Sequence, residues 1–283
     1  MTLSAPHPLI IEPLLRDALR EDMGRAGDIT TDAIAPPGMT ARAEVKLRKA
    51  GRVCGLPMAE LVFRLVDPAV VFDIHHPDGS DVDPGTTVAT VSGPARGILT
   101  GERVALNLLG RLSAIATNTR QCVAIAKPLG CDIACTRKTT PGLRVLEKYA
   151  VRTGGGTNHR FGLDDAVLIK DNHIAVAGGI TEAVRRAKSS LGHMVKIEVE
   201  VDTLDQLREL LATGADAVLL DNMGPDQLRA AVALVAGRMT TEASGGVTLD
   251  NLAAIAASGV NLVSLGFLTH SAQSLDVGLD FIG

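Results

Sequence analysis

Seven cations crowd one short segment of the chain. Between Thr136 and His173 lie Arg137, Lys138, Arg144, Lys148, Arg152, Arg160 and Lys170, together with His159 and His173. Only four acids stand among them, Glu147, Asp164, Asp165 and Asp171. The whole chain carries a formal charge of -4, so a local excess of positive charge points to a small anionic ligand. Arg144, Lys148 and Arg152 recur at helical spacing and read as a solvated helix face. Arg137, Lys138, His159, Arg160 and Lys170 fall at strand ends or in a Gly-rich loop and are the better site candidates. A guanidinium grips a carboxylate or phosphate with two parallel hydrogen bonds.

A second stretch is charged in a different pattern. In Lys196-Ile-Glu-Val-Glu-Val-Asp202, strand alternation puts Lys196, Glu198, Glu200 and Asp202 on one face. Ile197, Val199 and Val201 fall on the other. Buried charge is costly unless it is paired or bound to a ligand. The stretch has two readings: an exposed edge strand or internal Lys-Glu network, or a pair of carboxylates holding a metal or sugar hydroxyls. The glycines add a third signal. Gly154-Gly-Gly156 by itself reads as a turn. Ser244-Gly-Gly-Val-Thr-Leu249 closes a strand and opens a helix, where free backbone N–H groups favour phosphate. Gly266, at the end of the last strand, could serve the same phosphate.

These residues need a scaffold. From about residue 130 onward, short apolar runs alternate with helical stretches. The runs are Ile133 to Cys135, Ala166 to Ile169, Val195 to Val201, Ala217 to Leu220, Met239 to Ala243 and Leu262 to Leu265. Leu204 to Leu211 and Gln227 to Ala236 are helical between them. Six strands alternating with helices predict βαβ units and a parallel sheet, closed or nearly closed into a barrel. Arg137, Lys170, Glu200, Asp221, Ser244 and Gly266 then mark the C-terminal strand ends, where such folds carry their chemistry. The first part, residues 8 to 115, mixes a helix over Leu9 to Arg20 with strands over Val45 to Val53, Val70 to His75 and Thr86 to Val91. Gly101 to Ala116 reads as a long helix leading into the second part.

Composition bounds the alternatives. The chain has 283 residues, 46% hydrophobic but only 2% aromatic. Its core must therefore be Ala, Val, Ile and Leu, as in buried parallel strands. Too few aromatics are present for base stacking, and the balance is not basic, so nucleic-acid binding is not expected. No apolar run approaches a membrane span. The N-terminus has no charged segment before its short apolar stretch and does not read as a signal peptide. Cys54, Cys122, Cys131 and Cys135 form no CxxC pair and no zinc-spaced set, and read as reduced thiols of a cytoplasmic protein.

The motifs together resemble one family, quinolinate phosphoribosyltransferase. They are Glu21-Asp-Met-Gly-Arg-Ala-Gly-Asp-Ile-Thr-Thr31, Gly101-Glu-Arg-Val-Ala-Leu-Asn107 and Thr136-Arg-Lys-Thr-Thr-Pro-Gly142 running on to Arg152. They continue through Gly154-Gly-Gly-Thr-Asn-His-Arg-Phe-Gly-Leu163, Leu168-Ile-Lys-Asp-Asn-His173, Glu198-Val-Glu200, Leu220-Asp-Asn222, Glu242-Ala-Ser-Gly-Gly246 and Leu268-Thr-His-Ser271. The resemblance runs nearly end to end. It implies an N-terminal open-faced α/β sandwich over residues 1–115, completed by about 270–283, and an incomplete six-stranded β/α barrel over 116–269. It implies that quinolinate and phosphoribosyl pyrophosphate give nicotinate mononucleotide, pyrophosphate and carbon dioxide, with Mg2+, in de novo NAD biosynthesis. It further implies a homodimer with shared active sites.

The same resemblance implies residue roles. Arg103 is expected to reach the neighbouring subunit's quinolinate. Arg137, His159 and Arg160 are expected to hold the two carboxylates, with Thr136 beside them. Lys138 and Lys170 are expected to face quinolinate and the phosphates, and Glu200 and Asp221 to position the ribose hydroxyls and Mg2+. Ser244, Gly245, Gly246 and the Leu265-Gly266-Phe267 backbone are expected to hold the 5′-phosphate. Lys138, Lys170, Glu200 and Asp221 form the expected catalytic set. Two departures stand out: Phe267, where a smaller or polar residue is expected, and Thr157, where an apolar one is usual.

Three rival readings differ in testable ways. The molybdate-operon protein of the same fold shares the Gly-Gly-Gly and Asp-Asn-His signals, but Lys170 and the Asn158-His-Arg run favour the quinolinate enzyme. A Schiff-base aldolase would use Lys170 as nucleophile and would be trapped by borohydride. A catalytically silent metabolite-binding protein would be marked by loss of a site residue, and none is missing.

Overall fold

The structure is a computed structural model, and it describes residues 4–282. Its strands are β1 (Thr40–Leu47), β2 (Gly51–Arg52), β3 (Val71–Ile74), β4 (Asp81–Val82), β5 (Thr87–Pro94), β6 (Asp132–Ala134), β7 (Val167–Ile169), β8 (Ile197–Val201), β9 (Ala217–Asp221), β10 (Thr240–Ser244), β11 (Leu262–Ser264) and β12 (Val277–Ile282). The chain divides into two compact units. One holds the chain up to Arg120, Thr139–Gly155 and the chain from Leu268. The other holds Gln121–Lys138 and Gly156–Phe267.

The first unit is built on an antiparallel sheet in the order β12-β1-β5-β3. Alternation along β1 buries Ala43, Val45 and Leu47 completely and leaves the residues between them more open, as a one-sided sheet requires. The helix Leu56–Val66 buries Met58, Ala59, Val62 and Phe63. These recur at the spacing of one helix face, and Phe63 stacks on Phe72 of β3 with ring centroids 5.7 Å apart. Pro8–Met23 buries Ile11, Leu15 and Leu19, again one face.

The helix expected over Gly101 to Ala116 runs from Ala95 to Ala126, 32 residues. No proline interrupts it until Pro128, and a three-residue 3-10 turn and a left-handed Gly130 end it. The boundary expected near residue 115 therefore falls inside a continuous helix. A single cut also misplaces Thr139–Gly155, which groups with the first unit. There the helix Arg144–Thr153 buries Leu146, Tyr149 and Ala150. Its Glu147, fully buried, accepts from Arg111 Nε (3.2 Å), Arg111 Nη2 (2.9 Å) and the Thr140 N–H (3.1 Å). Tyr149 donates to Asp78 at 2.8 Å. The face read as solvated is solvated only in part: Arg152 is exposed, but Lys148 is 2% exposed. Helical spacing alone says which residues share a face, not what covers it.

The second unit is a six-stranded parallel sheet in the order β6-β11-β10-β9-β8-β7. No ladder joins edge strands β6 and β7 among the described residues, so the sheet is not closed by pairing. Helices come after the strands: Asp171–Ala177 and Ile180–Ser190 after β7, Leu204–Leu210 after β8, Pro225–Val235 after β9 and Leu249–Ala256 after β10. Parallel strands need such crossovers. Val199, Val201, Val218 and Leu220 pack with no exposure. With all six strands parallel, their C-terminal ends come to one edge, and the polar residues just past them meet there.

Candidate active site

A cavity of about 640 Å3 opens at that edge. Thr136, Arg137, Lys138, His159, Arg160, Lys170, Glu200, Asp221, Ser244, Gly245 and Gly246 all line it. Leu265, Gly266 and Phe267 come directly after Ser264, the last residue of β11, which lines the cavity too. Arg103 does not line it. That side chain is exposed on the long helix of the first unit and borders a separate cavity of about 200 Å3 with Asn107 and Ser274.

Each side chain is positioned by simple local rules. β8 buries Ile197, Val199 and Val201 on one face, so Glu198 and Glu200 stand on the other. Lys196, expected on that charged face, lies before the strand, is exposed, and pairs with Asp216 at 2.7 Å. Lys170 sits at the turn from β7 into the next helix. Its backbone N–H donates to His173 Nδ1 at 2.9 Å, which gives His173 a capping role. Its ammonium pairs with Glu200. Asp221 ends β9 and accepts from Asn222 Nδ2 at 2.5 Å.

The glycine loop is shaped by a close approach. Asn222 donates its N–H to the Ser244 carbonyl at 2.9 Å. Gly245 has φ +85°, and a Cβ there would collide with Asn222 Oδ1. Only glycine fits both conditions. The next helix begins at Leu249, capped by Thr248, so the loop and not the first helical turn borders the cavity.

The electrostatics divide the cavity. Burial pushes the Asp221 carboxyl above its ordinary value, as do Glu200 and Asp202, while Lys170 and Lys138 oppose the rise. Arg160 is moved the other way: burial and neighbouring Arg137 lower it, against Asp165 and Glu198. Two like-charged guanidiniums held this close favour an anion between them.

Of the charged residues that line the cavity, Glu242 escaped the sequence reading. Glu242 lines the cavity, is 2% exposed, and sits in β10. Burial and then Glu198 push its carboxyl up to about 7, against a hydrogen bond from Ser264. A signal exists: in Thr240-Thr-Glu-Ala-Ser244, strand alternation puts Glu242 on the same face as Ser244.

Parallel strands ending in a polar cavity, cations on one side, carboxylates and a glycine loop on the other, define an α/β protein built to bind a polyanion. Comparison with known proteins narrows the class. The C-terminal domain of quinolinate phosphoribosyl transferase matches residues 115–280 and its N-terminal domain residues 28–113. The chain belongs to the quinolinate phosphoribosyltransferase family. It is 48% identical over 272 residues to a Bacillus subtilis protein described as a probable nicotinate-nucleotide pyrophosphorylase (carboxylating), covering 96% of this chain and 93% of the relative. A Synechocystis protein of the same description is 44% identical, covering 98% and 94%. The crystal structure of NadC from Streptococcus pyogenes superposes with a TM-score of 0.94 at 39% identity, covering 99% of this chain and all of that one.

Proposed function

We propose that the protein transfers the phosphoribosyl group of phosphoribosyl pyrophosphate to quinolinate, with decarboxylation, in de novo NAD biosynthesis. The observation that carries the reading is one cavity lined by Arg137, Lys138, Arg160 and Lys170 together with Glu200, Asp221 and Ser244-Gly-Gly246. Two polyanionic substrates need the cations. Ribose hydroxyls need anionic acceptors. A phosphate needs unencumbered backbone N–H groups.

Arg137 and Arg160 pair with the two carboxylates of the pyridine, with Thr136 beside them. Lys138 and Lys170 bridge the region between the pyridine and the phosphates. Glu200 and Asp221 accept from ribose hydroxyls, and Ser244, Gly245, Gly246 and the Leu265-Gly266-Phe267 backbone take the 5′-phosphate. Only the backbone of Phe267 is used, so its bulk is tolerated. No residue need act as nucleophile. The C1′–O bond breaks as pyrophosphate takes the electron pair, and the pyridine nitrogen bonds to the cationic C1′. The nitrogen becomes positive. That charge stabilises the electron pair left on C2 when the adjacent carboxylate departs as CO2, and the C2 carbanion then takes a proton from water. Fixed charges do the catalytic work.

The donor set also fits Mg2+. Glu200 and Asp221 offer hard carboxylate oxygens; burial first, and then the charges of Glu200 and Asp202, raise Asp221, and a dication would favour its charged form. Bound there with phosphoribosyl pyrophosphate, it would neutralise charge on the leaving group. The functional unit is a homodimer in which exposed Arg103 completes the partner's site. The four cysteines are all buried, in keeping with a reducing, cytoplasmic setting. No helix among the described residues is long and apolar enough to cross a membrane.

The decisive assay incubates the protein with quinolinate, phosphoribosyl pyrophosphate and Mg2+. Nicotinate mononucleotide and CO2 should appear in equal amounts, and nicotinate should not replace quinolinate. A site built for two carboxylates leaves cations unpaired with one. Comparable turnover of nicotinate without CO2 would overturn the reading.

A further inference from the structure

Family resemblance casts His159 as a direct ligand of a quinolinate carboxylate. Its surroundings point elsewhere. His159 Nδ1 lies 2.8 Å from the backbone nitrogen of Arg160, whose N–H donates to it. A ring nitrogen that accepts a hydrogen bond carries no proton. The ring proton is therefore on Nε2. That nitrogen lies 2.9 Å from Glu198 Oε2 and 3.7 Å from Glu242 Oε1. Nε2–H donates to Glu198, and the contact is a hydrogen bond of a neutral imidazole. Both polar atoms of the ring are thus engaged inside the protein.

The consequence falls on Arg160. Its backbone N–H is held by the ring, and its Nη1 donates to the Ala166 carbonyl at 3.1 Å. Its Nε is buried and has no hydrogen-bond partner among the described residues. A buried donor without an acceptor is rare in folded proteins and marks a place where a ligand group belongs. Arg160 also lines the cavity.

We infer that His159 and Glu198 are positioning residues: the chain Glu198–His159–Arg160 N–H fixes the Asn158-His-Arg loop so that the Arg160 guanidinium, rather than the imidazole, meets the substrate carboxylate. His159, Glu198 and Glu242 together also have the composition of a cation site. The guanidinium of Arg160 beside Glu198, with Arg137 next to it, makes a dication there unfavourable. The inference rests on the quinolinate reading for the identity of the carboxylate, but not for the state of the ring.

Two measurements on the full-length protein test it. The first is nitrogen NMR of protein labelled at histidine, free and with saturating quinolinate. His159 should show a protonated Nε2 and an unprotonated Nδ1, unchanged by quinolinate. A proton on Nδ1, or a ring that switches tautomer when quinolinate binds, would overturn the inference. The second is kinetic. His159→Ala and Glu198→Ala should each raise KM for quinolinate by about tenfold, the size of one lost hydrogen bond with its strain. KM for phosphoribosyl pyrophosphate should move less than about twofold. The double variant should be no worse than the worse single one, because both break the same chain. Glu198→Gln should restore most of the loss, since its amide oxygen accepts the same Nε2–H. Additive losses, or His159→Ala far worse than Glu198→Ala, would make the ring a direct ligand. If the unaltered protein turned over no quinolinate, the substrate reading would fail, while the spectrum of the free protein would still decide the tautomer.

Discussion

Both units bury charged side chains, and they treat them in opposite ways. In the first unit the fully buried Glu147 takes three hydrogen bonds, from Arg111 and Thr140. Asp78, raised by burial, accepts from the Gly55 and Leu56 N–H groups and from Tyr149. In the second unit Arg160 Nε and Glu242 Oε1 are buried without a hydrogen-bond partner among the described residues. A satisfied buried network rigidifies a fold. An unsatisfied one is a cost carried for binding. The difference separates a unit whose buried charges are partnered from one that leaves buried polar atoms open beside its cavity.

The comparison can be broken first at Glu147. Glu147→Ala removes the counter-charge of Arg111, which keeps only the Ala272 and Thr269 carbonyls and the Thr140 hydroxyl as acceptors, and loss of one partner of a buried pair costs about 3–5 kcal/mol. Urea unfolding should show that loss, and a change below about 1 kcal/mol would mean the network is not structural. Arg137→Ala should do the reverse. We expect the rate with quinolinate to fall about 10^2- to 10^3-fold, the scale of one lost electrostatic donor, with the melting temperature unchanged. A fall in melting temperature that accounts for the lost rate would erase the distinction.

Glu242 offers a test by pH. Its folded-state pKa of about 7 lies above the ordinary 4.5. Stability is therefore full with respect to this group below about pH 4.5 and falls as pH rises through 7, by something on the order of 3 kcal/mol. Asp81 behaves oppositely. Arg52 holds its carboxyl low, so its contribution is present above the ordinary carboxylate range and is lost on acidification. Glu242→Gln should remove most of the fall in stability between about pH 5 and 8. An unaltered pH profile would show that Glu242 is partnered after all.

A smaller effect is expected at Gly245. Gly245→Ala places a methyl against Asn222 at a positive φ, and should raise KM for phosphoribosyl pyrophosphate about tenfold through a strain of about 1–2 kcal/mol. An unchanged KM would release the loop from the phosphate role. The mildest test asks whether the first unit is purely structural. Arg103→Ala and Lys138→Ala, each inactive alone, should regain activity on mixing. Random exchange makes half the dimers mixed, each with one intact site, so recovery should approach about a quarter of wild-type sites. No recovery, with exchange shown by mass spectrometry, would mean Arg103 serves its own subunit.

Much of this is legible in residue order. The six strands of the second unit are each anticipated to within about two residues, because a short apolar run between helical stretches admits few alternatives. Parallel strands then dictate that the residues just past their C-terminal ends meet at one edge. Arg137, Lys170, Glu200, Asp221 and Ser244 are therefore recognisable as neighbours although 107 positions separate the first from the last. The first unit is harder. The two-residue strands β2 and β4 are too short for a periodic pattern to separate them from the loops around them.

The sequence by itself determined the alternation of strand and helix, and with it which residues must share the C-terminal edge of the sheet. It also determined the family, through motifs spread along nearly the whole chain. Tertiary structure alone decided partnership. Lys148 shares a spacing with Arg144 and Arg152 yet is buried, and Glu147 finds Arg111 across 36 positions. His159 likewise meets the Arg160 N–H beside it and Glu198, 39 positions away, through its two ring nitrogens. The reason is physical. Periodicity is a property of one element's own backbone, so it is written locally. Burial and hydrogen bonding depend on which groups another element brings within about 3 Å, and no spacing within a single element specifies that.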